Sequence, residues 1–204
     1  MSHGPASGPL PTGRLLPSTL HLVGLLWIVH ILRLALSFVG LLSRQASARI
    51  FGIHPGSGVT DLWTVFTAPL VHGDWRHLLG NSVSLLILGS LVGLQGRGQL
   101  WQVSIISAMA SGVGIWLVAP HNTVHVGASG IVFGYWGALL LMGWFQRRPL
   151  GILLSIACLV LFSEMVVGLF PGAPGVSWQG HLFGFLGGVL AARLMDHGQR
   201  PGES

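Results

Sequence analysis

Long apolar stretches that are almost free of charge constrain this chain more than any other feature of its sequence. Only 15 of its 204 residues are charged, ten Arg and five acids, whereas 51% of the residues are hydrophobic. Soluble domains carry about 25% charged residues, so a water-soluble fold of this length would lack polar side chains for its surface. The sequence therefore predicts an integral membrane protein.

The lengths of these stretches predict the fold class. A helix needs about 20 apolar residues to cross the ~30 Å hydrocarbon core of a bilayer. The predicted fold is therefore all-α, a polytopic bundle of six transmembrane helices. The long segment 43–76 between the first two spans, with Trp63 and Trp75, is expected to lie at the membrane interface. The six spans are placed at about 18–42, 77–95, 100–119, 129–145, 150–170 and 179–196.

The positions of the arginines predict the orientation, because Arg-rich loops tend to stay in the cytoplasm. With both termini inside, six arginines are cytoplasmic and three are external, and Arg33 lies within the first span. Residues 1–17 are then a disordered cytoplasmic tail, 18–196 the membrane domain and 197–204 a second cytoplasmic tail. Spans two, four and six all begin at the outer surface. The cytoplasmic set is Arg14, Arg97, Arg147, Arg148, Arg193 and Arg200, and the external set is Arg44, Arg49 and Arg76.

Polar residues cluster where these three spans begin. Span two opens with His77 and Asn81, which lie on one helical face because they are four residues apart. Span four opens with Ser129 between flanking glycines, and span six opens with His181. Both of these spans also carry pairs of glycines at the four-residue spacing that lets membrane helices approach closely. Ser129 and His181 are thus predicted within hydrogen-bond reach, the geometry of an activated nucleophile and its general base.

No acidic third member of the site is evident in the sequence. Asp61 and Asp74 lie in the predicted outer loop and could approach, but no spacing requires it. Glu164 falls within the fifth span, where a protonated side chain bonded to a neighbouring helix is slightly preferred over a functional role. A Ser–His dyad is the economical interpretation. His77, Asn81 and the backbone N–H of Ser129 would then donate to the tetrahedral oxyanion.

These motifs resemble the signature of the rhomboid intramembrane serine proteases. The matching residues are His77-xxx-Asn81, Gly127-Ala-Ser129-Gly130 and Gly180-His181-xx-Gly184-xxx-Gly188, within a similarity that extends from about residue 18 to 196. The resemblance implies the six-helix core of the bacterial type, with Ser129 as nucleophile and His181 as base. It also implies a place in the bacterial plasma (inner) membrane and transmembrane proteins as substrates, and the orientation predicted from the arginines makes the active site face outward.

Three further residues are candidates for supporting roles: His72, Gly127 and Phe133. His72 precedes His77 by five residues, as in the family's first loop. At two positions the sequence departs from the family pattern. Trp63 is followed by Thr64 where the family commonly has Arg, and Phe133 stands where it often has a Tyr that packs on the catalytic His.

The predicted function is that of an intramembrane serine endopeptidase without cofactor or metal. The lone Cys158 excludes a multi-Cys metal site, His121 and His125 lie in a predicted loop, and no HExxH motif occurs. Scattered Arg residues argue against nucleic-acid binding. The alternatives are a catalytically silent relative that binds membrane clients and, less readily, a small transporter or channel. The oligomeric state is left open.

Overall fold

A computed structural model describes residues 16–147, 149–172 and 174–198 of the chain. The predicted tails lie almost wholly outside these residues, as do Arg14, Arg148 and Arg200. Within the described ranges the regular structure is helical, apart from one isolated antiparallel bridge between Ile53 and His125. The helices are α1 (Leu16–Phe38), α2 (Arg44–Phe51), α3 (Thr64–Thr67), α4 (Trp75–Gly93), α5 (Arg97–Val118), α6 (Ser129–Phe145), α7 (Pro149–Leu161), α8 (Met165–Gly168) and α9 (Trp178–Gly198).

Each predicted span coincides with one of the longer helices, and two ends differ from the prediction. Helix α1 stops at Phe38, because Gly40 takes a φ of 74° that ends the helix. Helix α7 stops at Leu161, and a turn over 162–164 leads into the single turn of α8. Glu164 therefore lies in a turn and not within one continuous fifth helix, as the prediction had it. The side chain is exposed in this turn, so its carboxyl group is not held inside an apolar helix.

Two of the described helices, α1 and α5, are long and apolar enough to cross a bilayer by length and hydropathy. Helices α6 and α7 are also apolar but have fewer than 18 residues. Six crossings and the predicted orientation therefore remain predictions. Large apolar side chains nevertheless face outward along α7, as lipid contact requires; examples are Leu150, Leu153, Ile156 and Val160.

Helix α6 lies at the centre of the bundle and packs against α4, α5, α7 and α9. It can do so because small residues line its contacts. Gly137 lies against the backbone of Phe185, and Gly134 lies against both Ser107 of α5 and the backbone of Gly184 in α9. Large side chains fill the remaining faces of α6, where Tyr135 and Trp136 are completely buried. Close backbone approach thus holds the start of α6 against the start of α9.

Candidate active site

Ser129 and His181 meet where α6 and α9 begin. The Ser129 Oγ lies 3.0 Å from Nε2 of His181. On the other side of the imidazole, Nδ1 lies 3.0 Å from the carbonyl oxygen of Gly168. A carbonyl oxygen can only accept, so Nδ1 carries the proton and donates it to Gly168. The free lone pair of Nε2 then accepts the hydrogen bond from the Ser129 hydroxyl, as a general base must.

The carbonyl of Gly168 thus occupies the place that an acidic residue takes in a three-membered site. Gly168 ends α8, and a Cβ there would lie 2.8 Å from Cζ of Phe133 and 3.2 Å from Nδ1 of His181. Only a residue without a side chain lets α8 approach the imidazole this closely. The role of Gly168 could not be predicted from the sequence, because every residue has a carbonyl and no side-chain pattern marks the one that is used.

Phe133 packs on the imidazole from the side of α6. The two rings are stacked, with centroids 4.0 Å apart and planes 11° from parallel. Phe133 lies one turn after Ser129, so the same helix positions the hydroxyl and the ring that supports its partner. The position where the family often has Tyr therefore keeps an aromatic contact with His181.

The start of α4 forms the opposite wall of the site. Asp74 caps this helix, since its carboxylate accepts a hydrogen bond of 2.9 Å from the backbone N–H of His77. Gly127 has a φ of 117°, and a Cβ there would lie 2.5 Å from Cε1 of His77 and 3.5 Å from Nδ2 of Asn81. Glycine is thus required for the His77 ring to lie against the backbone that leads into Ser129.

One open cleft contains all four of the predicted site residues, Ser129, His181, His77 and Asn81, and Phe133 lines it as well. Asp74 also borders the cleft, but its carboxylate is engaged in the helix cap. Asp61 does not line the cleft, and its backbone carbonyl accepts the hydroxyl proton of Thr64. Neither of the acids that the sequence left open therefore forms a described contact with His181.

His72 lies behind Asn81 and is completely buried. Its Nε2 lies 2.9 Å from Nδ2 of Asn81 and 3.4 Å from the backbone nitrogen of Ala128. Burial, together with the neighbouring His77, lowers the pKa of His72 to about 3. The ring is thus a neutral partner for the Asn81 amide at any pH at which a protease would be assayed.

Two other polar contacts near the cleft were not anticipated from the sequence. His125 contributes its Nδ1 to a 2.8 Å contact with Oγ of Ser177, and its Nε2 lies 2.8 Å from Oγ1 of Thr123. The contact with Ser177 joins the loop before α6 to the loop before α9, whereas Thr123 lies in the same loop as His125. His121 lies elsewhere, against Gly56. Among the described residues, no three His, Cys, Asp or Glu side chains are grouped so that they could hold a metal ion.

Comparisons with known proteins identify the family to which the chain belongs. The family model of the Rhomboid domain matches residues 59–197. The chain is 38% identical over 148 residues to an uncharacterized protein of Mycobacterium tuberculosis, and the matched region covers 68% of this chain and 61% of that protein. It is 30% identical over 146 residues to a Bacillus subtilis protein named "Putative rhomboid protease YdcA", covering 71% of this chain and 73% of the relative.

A plant relative is similar to the same degree. The chain is 38% identical over 148 residues to "Rhomboid-like protein 11, chloroplastic" of Arabidopsis thaliana, covering 66% of this chain and 53% of that protein. The chain thus matches between about half and two thirds of the length of several relatives. It belongs to the rhomboid family, whose members are integral membrane proteins and generally serine proteases.

Proposed function

We propose that this protein is an intramembrane serine endopeptidase that uses Ser129 as nucleophile and His181 as general base. The observation that carries the proposal is the pair of hydrogen bonds on His181, one from the Ser129 hydroxyl and one to the Gly168 carbonyl. These two bonds support the proposal, because with Nδ1 protonated the lone pair of Nε2 is free to accept the hydroxyl proton of Ser129. A serine that only capped its helix would not need a histidine held in this tautomer.

The reaction follows from this geometry. As the Ser129 oxygen attacks the scissile carbonyl, its proton passes to Nε2 of His181. The tetrahedral oxyanion would accept hydrogen bonds from Asn81, from His77 and from the backbone N–H of Ser129, and each such donor contributes roughly 3–4 kcal/mol to the transition state in soluble proteases. His181 then returns the proton to the leaving amine. Water attacks the acyl-enzyme by the same base catalysis and frees Ser129.

The rest of the proposal concerns the substrate and the membrane. The substrates would be proteins cleaved within or beside a transmembrane segment, and the enzyme would reside in a bacterial plasma membrane. Because α4, α6 and α9 begin around one cleft, six crossings with both termini in the cytoplasm would place that cleft at the outer side. Water can enter the open cleft there, as peptide hydrolysis requires.

A fluorophosphonate probe tests the nucleophile, because such probes react with activated serines. We expect the purified wild-type protein in detergent to be labelled at Ser129, and His181→Ala to abolish this labelling. His121→Ala is the matched control, since this exposed histidine does not line the cleft and labelling should persist. A folded wild-type protein that is not labelled and does not cleave a transmembrane substrate in liposomes would instead favour a silent, client-binding relative.

A further inference from the structure

The guanidinium group of Arg33 connects the first helix to the segment before α4. Arg33 lies near the end of α1 and is only 6% exposed. Its Nε donates to Oγ of Ser47 at 2.8 Å, and its Nη1 donates to the carbonyl oxygen of His72 at 2.8 Å. Its Nη2 donates to the carbonyl oxygen of Arg44 at 3.2 Å. A buried charge in a membrane helix is costly unless it is paired or fully hydrogen-bonded, so these three bonds offset that cost.

The hydroxyl of Thr64, in the same segment, makes a local hydrogen bond. Thr64 stands where the family commonly has Arg after Trp63, and its hydroxyl donates to the nearby carbonyl of Asp61. The bond closes a local turn and does not reach the neighbouring helices. The guanidinium that holds two backbone carbonyls of the segment, those of Arg44 and His72, belongs to Arg33 of α1.

His72, whose carbonyl accepts the hydrogen bond from Arg33, also orients Asn81. The backbone N–H of Ala128 can only donate, so Nε2 of His72 must be an acceptor. The Asn81 amide gives one of its two N–H groups to the same nitrogen, at 2.9 Å. Because this ring nitrogen can only accept, it faces the Nδ2 atom of Asn81 and not the Oδ1 atom, which sets the orientation of the side-chain amide. The second N–H remains for the cleft, which Asn81 lines beside Ser129.

We propose that Arg33 is a positioning residue for the oxyanion donor Asn81, acting through the backbone and ring of His72. Arg33 touches neither the substrate nor Ser129. By holding the His72 carbonyl, Arg33 fixes the position of Nε2 in the His72 ring. This nitrogen in turn orients the Asn81 amide toward the oxyanion that develops in the transition state. This inference rests on the proposed role of Asn81 in the catalytic site.

A double-mutant cycle in proteoliposomes, with a fluorogenic transmembrane peptide as substrate, tests the link. If Arg33 acts through Asn81, Arg33→Gln should lower kcat by about tenfold with KM within about twofold. In an Asn81→Ala background the same substitution should lower kcat by less than about twofold, because the donor that it positions is gone. Arg49→Gln is the matched control. It removes an exposed arginine from the segment that Arg33 holds, and kcat should not change.

Equal losses from Arg33→Gln in the two backgrounds would mean a purely structural role and would overturn the inference alone. An Asn81→Ala variant as active as wild type would overturn the inference and the oxyanion role of Asn81 but not the Ser129–His181 pair. A wild-type protein that neither cleaves nor labels would overturn the proposed function together with the inference. Ser47→Ala and Arg33→Lys cover the case in which Arg33→Gln does not fold. Each retains part of the hydrogen bonding, and each should lower kcat below that of the wild-type protein with an unchanged unfolding midpoint. In the Asn81→Ala background the same substitutions should have little effect on kcat.

Discussion

Gly184 of α9 lies directly against the backbone carbonyl of Gly130, the residue that follows Ser129 in α6. A Cβ at position 184 would also lie 2.8 Å from the Cα of Gly130. Real Cβ atoms do not approach backbone atoms this closely, and a helix backbone cannot move aside as a flexible side chain can. This contact sets how near α9, and with it His181, comes to Ser129.

Gly184→Ala is therefore expected to push α9 away from α6. Overpacking of this kind costs about 1–3 kcal/mol, so the unfolding midpoint in detergent should fall and fluorophosphonate labelling of Ser129 should be lost. Gly24→Ala is the control, because no atom lies within 4 Å of a Cβ at that position in α1. Its midpoint should stay the same or rise slightly, as replacing a helical Gly by Ala contributes about 0.5–1 kcal/mol. Similar midpoints for the two variants would contradict the packing argument.

Asn81→Ala should slow cleavage without unfolding the protein. Loss of one oxyanion donor reduces kcat by about 10²–10³ in soluble proteases, whereas substrate binding depends on it little. Steady-state kinetics with a transmembrane substrate, together with an unfolding curve, separate the two effects. Unchanged cleavage by this variant would remove Asn81 from the oxyanion role.

Phe133→Leu should weaken the support of the catalytic imidazole. Stacked aromatic pairs contribute about 0.5–1.5 kcal/mol beyond their buried area, so the expected decrease in kcat is roughly tenfold at most. Phe66→Leu is the matched control, since Phe66 is 65% exposed on α3 and does not line the cleft. If both variants cleave like the wild-type protein, the stacked ring is not needed to hold His181.

Asp74→Ala should loosen the first turn of α4, which carries His77. Replacement of an N-cap residue by Ala costs about 1 kcal/mol of stability, and Asp74→Asn should restore most of it because Asn also caps helices well. The hydrogen bond from the His77 N–H holds the pKa of Asp74 below its ordinary value of 3.8. The extra stability from the ionised cap is thus present above about pH 3.8 and is lost as the pH falls through the lower, folded-state pKa. Unfolding curves of the two variants at neutral pH check the cap, and equal midpoints would contradict it.

The wild-type protein should lose stability when the pH falls below about 6.5. Burial, aided by neighbouring His54, lowers the pKa of His125 from 6.5, and the pKa of His72 falls to about 3. Below about pH 6.5 these two histidines therefore bind protons in the unfolded chain but not in the folded one. This difference favours unfolding increasingly as the pH drops. His125→Asn should flatten the decline of the unfolding midpoint with decreasing pH. Ser177→Ala removes the partner of His125 but no titrating group, so it should lower the midpoint without changing the slope.

The residues of the proposed site could be located from the sequence because their signals are local. His77 and Asn81 share a helical face by spacing alone, and Ser129 between glycines marks the start of a helix. The contacts made by Arg33 could not be predicted, since three partners from a separate segment satisfy it. An arginine in an apolar run is compatible with snorkelling to the interface or with internal pairing, and spacing does not distinguish the two.

By itself the sequence determined an all-helical chain whose longer helices are apolar, because helix formation and hydropathy depend on residues that are neighbours along the chain. The tertiary structure alone decided that Gly168 provides the acceptor for His181 and that Glu164 lies at the surface in a turn. It also decided that His72 orients Asn81. These features depend on backbone carbonyls and on where helices end against one another, and such long-range geometry leaves no periodic pattern in a single sequence.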